Sequence, residues 1–197
     1  MPPVAAAAEL TRQRLIRTAL ELFTTRGYHD TTTAQIAKKA GIAEGTIYRH
    51  FASKQQLVNE LYRAAQRWAL KVVQDTRVQP EAQNARAQLG AVAHGLIEGA
   101  VRDPAVVKIG LLDALDSGSA LDDESRKIAR EFRVAVERVI AEGKAQGSVR
   151  AGGVDVWAGV WLAIVTHVLR QIIAGEWKPG DASVRLVIDG AWRAISV

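Results

Sequence analysis

The sequence has no cysteine and a single methionine. A disulfide framework, a thiolate zinc site, an iron–sulfur cluster and a cysteine nucleophile are therefore excluded. Histidine is scarce too, and His29, His50, His94 and His167 show no metal-ligand spacing. No glycine-rich phosphate loop, nucleophile elbow or His-Glu zinc-protease motif is found. Neither an enzyme nor a cofactor or metal is expected. One apolar stretch, Trp157 to Val165, is bounded by Asp155 and by His167 and Arg170. A membrane span needs about 20 such residues, so this stretch is read as a buried helix. No basic residue precedes the alanine run at Ala5–Ala8, which is too weakly apolar for a secretion signal. A cytoplasmic protein with no membrane partner is expected, with residues 1–9 as a disordered arm.

What charge there is lies unevenly. Residues 1–54 hold eight Lys/Arg against four Asp/Glu, whereas residues 55–197 hold 18 against 17. A local positive excess of this kind suits a phosphate-binding surface, and equally a merely soluble one.

Strand-like alternation is absent, and apolar residues recur at steps of three and four, so the fold class is all-α. A first helix is expected over Leu10–Arg26, ended by Gly27. A short second helix follows Thr32, where Thr32 and Gln35 fit a capping box. It ends at Ala40, and a third spans Glu44–His50. A fourth starts at Ser53, where Ser53 and Gln56 fit another capping box. A break at Thr76–Pro80 precedes helices over Glu81–Val101, Pro104–Asp116, Leu121–Gln146, Val154–Ala174 and Asp181–Ile195. Pro104 suits a first turn, Asp122, Asp123 and Glu124 suit the positive end of a helix dipole, and Asp181 can cap the last helix.

Two short helices joined by Gly41-Ile42-Ala43 form a helix-turn-helix candidate. Ala37 is small enough for close helix crossing, Gly41 can take backbone angles that a Cβ resists, and Ile36, Ile42 and Ile47 are spaced to fill the joint. With Ile47 and Phe51 on the buried side, Glu44, Thr46, Tyr48, Arg49 and His50 turn outward. A helix presenting such a face can enter a DNA major groove.

The run Thr32-Thr-Thr-Ala-Gln-Ile-Ala-Lys-Lys-Ala-Gly-Ile-Ala-Glu-Gly-Thr-Ile-Tyr-Arg-His-Phe51, followed by Lys54, resembles the DNA-binding region of the TetR family of transcriptional repressors. The preceding helix, Arg14 to Phe23 with Arg26-Gly27-Tyr28, is similar as well. The resemblance covers about Leu10 to Leu61. It implies a helix-turn-helix domain over residues 10–53 and a helical ligand-binding and dimerisation domain over 54–197. It also implies that Thr33, Tyr48, His50 and Lys54 touch phosphate, with Arg49 beside them, and that Gly45 and Thr46 let the third helix approach DNA closely. Hydroxyl, imidazole and ammonium donors position a protein on DNA without reading sequence. Two positions depart from the family. Ala43 stands where a capping Ser or Thr is common. Glu44 stands where a basic or small polar residue is common, and is read either as an acceptor for cytosine N4 or as a dipole partner at the helix start.

The last two helices would form a dimer interface by this resemblance, through Trp157, Ile164, Val168, Ile172, Val184, Ile188 and Trp192. Ordinary core is the competing reading for all of them. An effector pocket is expected among Trp68, His94, Ile97, Val101, Ile109, Leu112, Trp161 and His167, with ordinary core the competing and favoured reading for each; their character favours a lipophilic or aromatic small molecule. The expected protein is thus a homodimeric repressor on a palindromic double-stranded operator, released by such a ligand. The alternative is a DNA-binding regulator without a small-molecule effector, controlled by a protein partner.

Overall fold

Two hydrophobic cores share one helix. The computed structural model describes residues 4–77, 83–112 and 121–197. Its α-helices are α1 (Val4–Arg26), α2 (Thr33–Ala40), α3 (Glu44–His50), α4 (Lys54–Thr76), α5 (Ala85–Arg102), α6 (Pro104–Val107), α7 (Asp123–Ala145), α8 (Val154–Ile173) and α9 (Ala182–Ile195). No strand occurs among the described residues, only an isolated bridge between Val149 and Ser196. The expected helix ends at residues 81, 82 and 113–116, and the break at residues 78–80, lie outside the described residues.

The first core joins Leu15, Ala19 and Phe23 of α1, Ile36 of α2 and Ile47 of α3 to Leu57, Val58 and Leu61 of α4. The second gathers Ala69 and Val73 of α4 with the inner faces of α5, α7, α8 and α9. The expected boundary between residues 53 and 54 therefore falls where α4 begins, while the first core continues along α4 to Leu61. The two cores meet at a π-helical turn, Lys108–Leu112, which continues α6. There a Cβ on Gly110 would lie 2.3 Å from the Ala65 Cβ, so only glycine fits against α4. Gln66 donates to the Gly110 carbonyl at 2.6 Å, and Lys108 donates to the Thr24 carbonyl of α1 at 2.6 Å.

Several local signals act as expected. The Thr32–Gln35 capping box is complete. Gly41 takes the left-handed angles (φ 67°), with its own N–H and that of Ile42 bonding back to Lys38 and Ala37. This closes the second helix as a Schellman motif. Others differ. Helix α1 starts at Val4, so residues 4–9 are helical rather than an arm; alanine has the highest helix propensity and needs no apolar period to extend a helix. Ser53 caps Gln56, but the Gln56 side chain accepts from Ala52 instead of Ser53. Asp181 makes no side-chain cap on α9; its Oδ2 accepts from the Lys178 amide at 2.7 Å and closes the preceding turn. Asp122 is the N-cap of α7, with Asp123 and Glu124 in the first turn. Helix α8 is less buried than its composition suggests. It is long and apolar enough to cross a membrane by length and composition, yet only 28% of its apolar window lies inside the protein.

A satisfied polar cluster ties α4 to α7. Arg63 grips both Asp122 oxygens at 3.1 and 2.8 Å, the Ser125 amide donates to Asp122, and the Ser125 hydroxyl donates to Asn59 at 2.6 Å. Burial pushes the Asp122 carboxyl up, but the hydrogen bonds from Ser125 and Arg63 outweigh it and hold the carboxyl below its ordinary value. A depressed carboxyl stabilises the fold above its unfolded pKa and loses that contribution as pH falls through the folded value. Asp122→Asn keeps a capping side chain but loses the charge. It should cost about 1 kcal/mol or less at pH 7 in urea unfolding, a partly exposed pair being screened by solvent. The gap from wild type should narrow as pH falls below the ordinary carboxylate value towards the depressed one. A gap independent of pH would refute the ion-pair account.

Candidate nucleic-acid interface and ligand groove

Helix α3 is held by few contacts, and those decide its outer face. Ile47 and Phe51 are 1% and 2% exposed, so the residues between and before them point away. Glu44, Gly45, Tyr48 and Arg49 are exposed, while Thr46 and His50 are half-buried. Tyr48 is 53% exposed. Its hydroxyl lies 2.9 Å from the Thr33 hydroxyl at the start of α2, so these two groups are brought together on one surface. The Arg49 guanidinium reaches the Thr46 hydroxyl at 3.4 Å. Ala43 is the N-cap and makes no side-chain cap bond, so the first turn of α3 is closed by backbone, the Thr46 amide donating to the Ala43 carbonyl at 2.8 Å. Gly45 has nothing within 4 Å of a built Cβ, so the fold itself does not require glycine there.

Lys54 is placed differently from the rest. Its ammonium donates to the carbonyls of Tyr28 (2.8 Å) and Thr31 (2.9 Å) and sits 4.2 Å from the Tyr28 ring centre. Burial pushes its pKa down, against the opposing charge of Asp30. Two of its three donors are thus used inside the protein, where they pin the first turn of α4 to the loop before α2. Sequence reading had no access to those acceptors, because both are backbone carbonyls. Arg12 is also engaged internally, paired with Glu60 and lying 5.2 Å from the Phe51 ring centre.

Of the eight expected pocket residues, His94, Ile97, Val101 and Trp161 line one groove of about 580 Å³ between α5, α8 and α9. The other four lie elsewhere. Trp68 packs on Gly99, whose Cβ would meet the indole at 2.1 Å. Ile109 belongs to the first core and Leu112 to the second. His167 is exposed and edge-on to Trp177, with ring centres 5.6 Å apart. The groove also takes Val184, Ile188 and Trp192, expected at a dimer interface, and the charged Arg86, Arg102 and Asp189, which the sequence reading missed. The missed signal was the spacing of Arg86, Gly90, His94, Ile97 and Val101 down one face of α5.

Two expected interface residues are unavailable to a partner, since Val168 is 0% and Val184 3% exposed. Both belong to the second core, Val168 on α8 and Val184 on α9; an apolar stripe alone does not show whether it meets its own core or a partner. Trp157, Ile164 and Ile172 are half-buried. Trp157 lies under the Arg150 guanidinium at 5.8 Å, and its indole N–H is buried without a hydrogen-bond partner. Beside Ile164, Val156 and Ala163 of α8 and Leu186 of α9 are exposed. Gly159 and Gly190 have open space where a Cβ would stand. No group of three or more metal-ligating side chains converges among the described residues.

Residues 15–61 match the profile of bacterial regulatory proteins of the tetR family. The HTH-type transcriptional regulator SrpR of Pseudomonas putida is 45% identical over 62 residues, which is 32% of this chain and 29% of that protein. TcmR of Streptomyces glaucescens, also an HTH-type transcriptional regulator, is 27% identical over 177 residues, 85% of this chain and 73% of that protein. The chain thus spans less than a third of the first relative and nearly three quarters of the second. The structure of the ketosteroid transcriptional regulator KstR2 of Mycobacterium tuberculosis superposes with a TM-score of 0.72 at 24% identity, covering 94% of this chain and 95% of that one. That likeness establishes the fold.

Gly45→Ala separates folding from docking. Alanine in an exposed helix position is favoured over glycine by about 1 kcal/mol, and no atom stands in its way. The variant should melt a few degrees higher than wild type and bind DNA at least tenfold more weakly. Unchanged DNA affinity would show that Gly45 is not a point of close approach.

Proposed function

The chain belongs to the TetR family of bacterial regulatory proteins, and on that premise we propose that it is a homodimeric repressor released from its operator by a small lipophilic or aromatic ligand. The observation that carries this reading is the outer face of α3. Ile47 and Phe51 fill the first core, and a polar surface of exposed Glu44, Tyr48 and Arg49 with half-buried Thr46 is left with Thr33 beside it. Thr33, Tyr48 and His50 take backbone phosphate, which fixes register without reading sequence. Arg49 and Glu44 face the bases, where an acid can accept from cytosine N4 and a guanidinium can donate to guanine. Lys54 contributes chiefly by holding α4 against the loop before α2, with one donor left over for phosphate.

Dimerisation follows from the apolar face of α8 and α9 left open by a single copy. Val156, Ala163, Ile164 and Leu186 lie there beside two glycines with no neighbour, so a second pair of helices can approach closely. A two-fold pairing presents two copies of α3 to half-sites about 34–36 Å apart. The effector acts by preferring the form in which that spacing is lost.

Selection from a random duplex pool tests the reading. A palindromic winner is expected, with affinity that falls steeply as salt rises. Glu44→Ala should relax the preferred base at one position in each half-site and leave the rest of the palindrome intact. Failure to enrich any sequence at low salt would overturn the DNA-binding assignment, and an enriched sequence without two-fold symmetry would overturn the dimer.

A further inference from the structure

The groove between α5 and α9 has a shape and a charge pattern that identify its occupant more closely than "lipophilic". Its α5 wall runs from Arg86 to Arg102, the length of the helix, which at 1.5 Å per residue is about 24 Å. Trp161, 1% exposed, closes the floor. Leu89, Ile97, Val184, Ile188 and Trp192 make the sides. A volume of about 580 Å³ falls within the ordinary range of small-molecule sites, but its length suits an extended chain better than a compact ring system.

The charges are placed at the rim. At the N-terminal end of α5, Arg86 pairs with Asp189 of α9 at 2.9 Å, which bridges the groove and gives that guanidinium a carboxylate partner. Asp189 also accepts from Arg193 at 2.7 Å, so its charge is matched from two sides. In the middle, His94 and Glu98 face each other at 3.1 Å along α5. Arg185 donates to the Gly180 carbonyl at 2.6 Å. Arg102, in the last turn of α5, has no ion pair or side-chain hydrogen bond among the described residues, and it lines the same groove. The site is therefore an elongated apolar trough, bridged at one end by an ion pair and carrying an unmatched guanidinium at the other.

We propose that this groove binds an elongated amphipathic carboxylate, its hydrocarbon chain lying over Trp161 and its headgroup paired with Arg102. A carboxylate is favoured because guanidinium binds it through two parallel hydrogen bonds. The proposal deepens the effector reading of this domain and rests on it, and it places the ligand against α5 and α9 rather than around Trp68, Ile109 and Leu112.

The test measures binding without DNA, using sodium dodecanoate below its micelle concentration and calorimetry on the full chain. Saturable binding is expected, with dodecan-1-ol at least tenfold weaker, the scale of one lost charge-assisted hydrogen bond. Arg102→Gln, an exposed change at a helix end, should weaken dodecanoate by about tenfold and leave dodecan-1-ol unchanged. Gly90→Phe fills the trough from a position where a built Cβ meets nothing within 4 Å, so it should abolish binding while the melting temperature holds. No saturable binding, equal affinity of wild type and Gly90→Phe, or equal affinity for acid and alcohol would each overturn the proposal. Release of the selected operator by dodecanoate is scored separately. Binding that is blocked by Gly90→Phe but leaves the operator complex intact upholds the groove assignment and removes this ligand class from the control of DNA binding.

Discussion

Both cores are built on α4, and that sharing constrains everything else in the molecule. Leu57, Val58 and Leu61 belong to the first core, while Ala69 and Val73, two to three turns on, belong to the second. The helix between them is continuous, so a shift of α4 in one core is a shift in the other. Lys54 fixes its first turn to the loop before α2, and Gln66 fixes its middle to the π-helical turn. A π-turn costs regular hydrogen bonding and commonly marks a functional position. Here it lets Gly110 lie directly on Ala65 while Lys108 reaches α1.

The groove is connected to that spine by close packing. A Cβ at Gly95 would lie 2.7 Å from Val72, and one at Gly99 2.1 Å from Trp68. Helix α5 is therefore seated flush on α4 with no slack between them, and densely packed interfaces transmit strain instead of absorbing it. A ligand that parts α5 from α9 at the Arg86–Asp189 bridge acts on a helix whose opposite face is locked to α4. From α4 the path to α3 is short, through Leu57, Leu61 and Phe51 in the first core. Ligand binding and DNA spacing are coupled in this scheme only as far as the ligand prefers one arrangement of these helices.

Much of the fold was legible in the sequence because it is written in local chemistry. The Thr32–Gln35 box, the left-handed Gly41 and the Ile47–Phe51 spacing each act within a few residues, and together they turn Tyr48 outward. What was illegible depends on distant partners. The Arg86–Asp189 bridge joins residues 103 apart, and no pattern in either helix announces it. The acceptors of Lys54 are carbonyls, which carry no sequence signal. Val168 sits on α8, which is apolar on most sides, and Val184 on the apolar stripe of α9; in both cases only packing shows whether that side meets its own core or a partner. The start of α1 was missed for a different reason: an alanine run forms helix by propensity, without the apolar period used to find the others.

Repression by a dimer requires the outer face of α3 to lie in the major groove twice per site. Dimethyl sulfate interference on the selected duplex reports this directly, since methylation at guanine N7 blocks the major groove and at adenine N3 the minor groove. Two clusters of guanine interference are expected, centred about 10–10.5 base pairs or a multiple of that apart. A single cluster, or interference confined to adenine N3, would contradict that placement of α3.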